Sequence, residues 1–271
     1  MFVNQKLIGN RKSYATVTGK SANISIFHLG AWRTPISILA FCVVMMMSVI
    51  PLVTFALESL LNYTGVYDFN NLTLSFWIGQ AQGHDTWQSE SGILRNAEVY
   101  RTLWNSLRLA FTCALGAGTL GFLAGYSIVR RRGSLLSQVV ENLTFIPYLI
   151  PSMAFSAIYL SMFATKHGII PSLYGSFAIL ALIGTIKYLP MASRSGVNSM
   201  LQLSPEIEEA GIIMGVPWLK RMTRIIIPIE KTTIVSGYLL PFISAMRELS
   251  LFVILVTVNN RVLTTLLPFS D

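Results

Sequence analysis

The sequence predicts an all-α, polytopic membrane helical bundle of about five transmembrane helices with one polar helical insert, and three observations carry that prediction. Hydrophobic residues make up 53% of the chain and charged residues only 12%, about half the charge of an ordinary soluble domain. Five apolar runs, Ile36 to Leu57, Leu107 to Val129, Leu143 to Phe163, about Ile170 to Leu189, and Ile234 to Val258, have close to the roughly 20 residues a helix needs to cross a hydrocarbon core. Between the last two runs stands Ser204 to Pro228, whose charges and prolines set it apart from everything around it.

Residues 1 to 35 are polar and basic, with no apolar stretch before Ile36 that could serve as a cleavable signal peptide. The run Thr18-Gly19-Lys20-Ser21 resembles the end of a phosphate-binding loop, but the glycine required five positions earlier is Tyr14 and no strand precedes it. A solvated basic arm is the better reading. The first span carries Pro51, which a membrane helix accommodates as a kink when neighbours satisfy the freed backbone. The loop from about Asn62 to Arg101 is expected outside the cell. The second span is rich in small residues, with Gly121 and Gly125 at the spacing that lets two helices approach closely. Pro147 and Pro151 are expected to bend the third span near its cytoplasmic half.

Arg247 and Glu248 interrupt the fifth run near its middle. Charges at such depth are costly and face a bundle interior or an aqueous cavity. Neighbours on a helix point in different directions, so each needs a partner elsewhere. A pathway or gate element and a structural ion pair with a neighbouring span are both open readings. Cys42, Cys113, His28, His84 and His167 have no metal-ligand spacing. No catalytic constellation is visible, so enzymatic chemistry by this chain is not expected.

The net charge of +8 could suggest nucleic acid, but the placement of the cations argues against it. Lys6, Arg11, Lys12, Lys20 and Arg33 precede the first span, Arg130 to Arg132 follow the second, and Arg194, Lys220, Arg221, Arg224 and Lys231 surround the insert, thirteen on one side. The alternate loops hold four, namely Arg95, Arg101, Lys166 and Arg261. By the bias of cytoplasmic loops toward Lys and Arg, the N-terminus and the insert face the cytosol.

The insert itself reads as helix, turn, helix. Ser204 suits an N-cap, Pro205 the first helical position, and Glu206, Glu208 and Glu209 lie toward the positive end of the helix dipole. Ile207, Ala210, Gly211 and Met214 recur at helical spacing, and Gly215 is free to adopt the left-handed conformation that ends helices. Pro217 can start a second helix with Trp218, Met222, Ile225 and Ile226 on one side, until Pro228 blocks it.

Glu209-Ala210-Gly211, then Gly215 after three residues, then Ile225, Ile227 and Pro228 after nine more, resembles the signature of the permease subunits of binding-protein-dependent ABC importers, E-A-A, three residues, G, nine residues, I-x-L-P. Gly211 stands for the second alanine and Ile227 for leucine. The resemblance implies that a loop of about 193 to 233 holds coupling helices that dock on a cytoplasmic ATPase dimer, with Glu208, Glu209, Ala210, Gly211, Gly215, Ile225, Ile227 and Pro228 as the coupling residues. It implies no cofactor or metal on this chain, ATP on the partner ATPase, a second permease half, an external or periplasmic substrate-binding protein, and a multi-pass place in a bacterial inner membrane. Arg247-Glu248-Leu249-Ser250 and Tyr14 to Lys20 are similar to the ferric iron branch, whose members fuse two permease halves. That implies ferric iron as substrate, residues 1 to 35 as an arm or inter-half linker, and residues 36 to 271 as a transmembrane domain cut before the sixth helix of a complete half. Importers of phosphonate, polyamine, thiamine or molybdate and sulfate share the motif, and an ion-coupled secondary transporter is the alternative of another class.

Overall fold

A computed structural model of the chain describes residues 30–79, 92–166 and 172–266. The basic arm before Gly30, with its Thr18-Gly19-Lys20-Ser21 run, and His28, His84 and His167 lie outside the described residues. The described chain is helical, with an isolated two-residue bridge between Leu61 and Leu72 in place of any sheet. It falls into two compact units that meet in the chain at Thr102.

The earlier unit is led by α1 (Arg33–Glu58), 26 residues and so about 39 Å long. None of its side chains is buried within the chain, which suits a helix whose solvent is lipid. After it the chain folds around Asn71, whose amide donates to the carbonyls of Tyr63 at 2.8 Å and Val66 at 2.7 Å and whose Oδ1 accepts from Tyr63 N–H at 3.0 Å. One buried asparagine thus replaces secondary structure in satisfying this loop.

The later unit contains α2 (Ala97–Arg130, from Thr102 onward), α3 (Leu135–Leu149), α4 (Ser152–Phe163), α5 (Phe177–Gln202), α6 (Pro205–Ile213), α7 (Trp218 to Ile229) and α8 (Lys231–Arg247). In α7 the turn Met222–Ile226 is π-helical. The small residues expected to form a packing face in α2 do so against α5. A Cβ on Gly121 would stand 2.6 Å from the backbone nitrogen of Ser193, and one on Gly125 would stand 2.4 Å from the carbonyl carbon of Gly196. Backbone lies on backbone there, a contact whose strength comes from close van der Waals packing. Helix α5 also packs against α8 and α3, and its Ile179 and Ile183 share a buried core with Leu109 and Cys113 of α2 and with Phe252.

Helices α1, α2 and α5 are long and apolar enough to cross a membrane. The pair α3 and α4, bent by 105°, and the pair α7 and α8, bent by 85°, each pass the same test together. The third apolar run is bent where Pro147 and Pro151 lead one to expect, and sharply enough to divide it into two helices. Pro147 sits inside α3, and the break falls at Ile150 and Pro151, both extended. The ring of Pro151 clashes with a helical conformation of the residue before it, which forces Ile150 out of the helix.

The fifth run is corrected. Its helix ends at Arg247, and Glu248 is extended. Leu251, Phe252 and Leu255 are completely buried in a series of turns. Glu248 Oε1 accepts from Leu251 N–H at 3.1 Å, Thr264 donates to the Glu248 carbonyl at 2.9 Å, and Asn260 Oδ1 accepts from Thr257 N–H at 2.7 Å. Hydropathy cannot separate such a segment from a spanning helix. Both are apolar, and irregular backbone survives at that polarity when protein side chains satisfy it.

Candidate partner-docking site

The insert folds as two short helices, as its spacing predicts. Pro205 opens α6 at the first helical position. Ser204 occupies the N-cap but makes no capping bond with its side chain. Beyond α6, Gly215 has φ +70°. Its N–H reaches the Ile212 carbonyl at 2.9 Å, while Val216 N–H reaches Gly211 at 3.0 Å. This nested pair is the Schellman ending, and it requires the left-handed residue that glycine supplies. Pro228 lies one residue before the end of α7 at Ile229. The bend comes at Glu230, which is buried and accepts from Ser199 Oγ at 3.1 Å.

Glu208 holds the insert to the bundle. Its carboxylate is buried, with Arg130 Nε 2.6 Å from Oε2, Arg221 Nη2 3.8 Å from Oε1, and the Tyr126 hydroxyl donating to Oε1. The Arg130 N–H is not aligned along its contact, so that pair is ionic more than hydrogen-bonded. Arg221 also donates from Nη1 to the Val216 carbonyl at 2.6 Å, closing the turn between the two helices. A side chain at position 211 would meet Arg221 Cδ at 2.8 Å, so glycine is what lets the guanidinium cross α6. Beneath these polar contacts, Phe122, Met200, Leu203, Met222 and Ile226 form a separate apolar core, joined by Ile207 and Tyr126. Tyr126 meets Trp218 edge to face at 6.1 Å. An open cavity of about 560 Å³ lies beside them, lined by Leu123, Ser127, Arg131 and Leu136 among others.

The expected coupling residues therefore divide. Glu208 and Gly211 are buried, Ile225 is half-buried, and Glu209, Ala210, Gly215, Ile227 and Pro228 are exposed. The expected apolar face of the first helix is corrected. Ile207 and Gly211 turn inward as predicted, but Ala210 and Met214 face outward and Glu208, read as part of an acidic edge, turns in. A cation pair outweighs the hydropathy of the side chain at that position. The far end of α6 carries an exposed apolar tip, with Ile212 54%, Ile213 86% and Met214 72% exposed. Sequence reasoning missed the tip, the anchors Arg130, Tyr126 and Arg221, and Glu230. The anchors come from two segments, Tyr126 and Arg130 one turn apart on α2 and Arg221 on α7, and no local spacing links them to Glu208.

Arg247 and Glu248 are not drawn into this site. Arg247 is the exposed last residue of α8, and Glu248 caps the following turn. Among the described residues no cluster of His, Cys, Asp and Glu could hold a metal ion.

Helices long and apolar enough to span, a backbone-to-backbone α2–α5 contact and an anchored polar insert describe a multi-helix membrane protein. The chain belongs to the family of binding-protein-dependent transport system inner membrane components, which matches residues 117–268 and so takes in both α5 and the insert. Among its relatives is the ferric transport system permease protein FbpB of Actinobacillus pleuropneumoniae, 28% identical over 264 residues, covering 95% of this chain and 35% of that protein. A putative ferric transport system permease protein FbpB 1 of Haemophilus influenzae is 27% identical over 263 residues, 94% of this chain and 38% of its own length. The phosphate transport system permease protein PstA 1 of Mycobacterium tuberculosis is 30% identical over 165 residues, 60% of this chain and 53% of its own. The chain thus spans about a third of the length of the ferric relatives and about half that of the phosphate one.

Proposed function

We propose that this chain supplies half of the translocation pathway of an ATP-driven importer and that the insert docks on a cytoplasmic ATPase dimer. The observation that carries the reading is the pairing of a rigid anchor with an exposed apolar tip. Glu208, Arg130 and Arg221 fix α6 to α2, while Ile212, Ile213 and Met214 stand clear of the chain that made them. An apolar tip on a fixed mount suits burial in a partner's groove and transmission of that partner's motion. Thirteen cations on the side of the N-terminus and the insert support placing both in the cytosol of a bacterial cell, the chain lying in the inner membrane. ATP is bound and hydrolysed on the partner, and Glu209, Ala210, Ile227 and Pro228 are the exposed motif residues that join the tip in the contact. A second permease half, with residues 1 to 35 as arm or linker to it, completes the pathway, and an external substrate-binding protein delivers the cargo.

Ferric iron is the cargo we infer, because likeness to the ferric permeases runs along 95% of the chain while likeness to a phosphate permease runs along 60%. The same observation keeps phosphate as the second reading. Co-purification of the tagged chain with the ATPase, compared with Ile213→Asp, tests the docking. The variant is expected to retain about a tenth or less of the bound ATPase, as for loss of an interface anchor. Equal retention would overturn it. Radiolabelled ferric ion and phosphate uptake in cells lacking the chain, with and without restoration, decide the cargo.

A further inference from the structure

Lys187 lies within α5, in the apolar part of the bundle, and among the described residues no carboxylate lies in ion-pair contact with it. Its ammonium donates to the carbonyls of Pro147 at 3.0 Å and Ile150 at 2.5 Å, and sits 5.4 Å from the ring centre of Phe155. Those carbonyls belong to the last turn of α3, left without helical partners where Pro151 breaks the chain. A helix C-terminus carries partial negative charge, so a cation is the side chain best suited to that break. The turn after α8 reaches the same place. Ser156, next to Phe155, donates to the Leu251 carbonyl, and Leu251 N–H donates to Glu248 Oε1. The α3–α4 break and the turn after α8 thus meet at Phe155 and Ser156, one holding the Lys187 ammonium and the other the Glu248 carboxylate.

We propose that Lys187 is a positioning residue that holds the α3–α4 break in the shape seen here, and that Glu248 receives its ammonium when the break rearranges in the transport cycle. The cycle rests on the permease reading above, whereas the holding role does not. A lysine suits such an exchange because its ammonium is a compact point charge on a flexible stem, able to change acceptors without a fixed planar geometry.

Hydrogen exchange of a peptide spanning 144 to 158, measured on the intact transporter with and without vanadate-trapped nucleotide, tests both parts. In the resting state Lys187→Met is expected to raise exchange there about tenfold, the loss of a charged donor, and Lys187→Arg to restore most of it. Glu248→Gln is expected to leave resting exchange unchanged and to abolish the difference that trapping produces in the native protein. If Lys187→Met exchanged like the native chain, or if Glu248→Gln kept the trapping difference, the corresponding part of the proposal would be wrong. Should Lys187→Met loosen the whole bundle, exchange over 109 to 118 rises with it, and the Arg and Gln variants decide. Absence of any bound ATPase would overturn the docking reading while leaving the resting-state arm intact.

Discussion

Arg130 Nε stands 2.6 Å from Glu208 Oε2, tying the last residue of a long spanning helix to the first turn of a short one. Removing the carboxylate leaves Arg130 and Arg221, 16% and 13% exposed in their side chains, as uncompensated charges. Glu208→Ala is therefore expected to loosen the insert by about 3 kcal/mol, roughly a hundredfold in its opening equilibrium. Tryptic cleavage at the exposed Lys220 and Arg224 reads that opening. Glu209→Ala, one residue along and exposed, should change it less than about threefold.

The turn between the insert helices sets a second expectation. Gly215 has φ +70° with open space around its Cβ position, so conformation alone penalises a side chain there. Gly215→Val should cost about 1–2 kcal/mol, and Gly215→Asn clearly less, because asparagine visits the left-handed region with local hydrogen bonding. The order glycine, asparagine, valine in ATPase co-purification checks this, and a valine variant equal to the native chain would refute it.

The α2–α5 contact sets a third. Gly125→Ala places a methyl group 2.4 Å from a backbone carbon, which only separation of the helices can relieve. The expected cost is about 1–3 kcal/mol, a fall of several degrees in Tm measured in detergent. Leu120→Ala, on the exposed side of the same helix, should stay within about 0.5 kcal/mol.

The site was half legible before folding was considered. Gly215 and Pro205 act through local backbone chemistry, and their roles as helix end and helix start follow from residue type alone. Glu208 was misassigned to an exposed acidic edge because its cations lie 78 positions before it and 13 after, in segments that only packing brings together. Pro228 marks the end of α7 to within one residue, since a proline removes a helical donor whatever surrounds it.

The sequence by itself determined that this chain is helical, membrane-embedded and built around one polar insert, since composition, run length and local turn chemistry depend on nearest neighbours. Which apolar runs cross as single helices was decided only by the tertiary structure. The α3–α4 run breaks by 105° and the last run leaves its helix at Arg247, because the free carbonyls of the first find Lys187, 40 and 37 positions away, and the free amides of the second find Glu248 and Asn260 in the same turn series. Backbone groups must be satisfied in an apolar surrounding, and where distant side chains can do it, hydropathy no longer dictates a continuous helix.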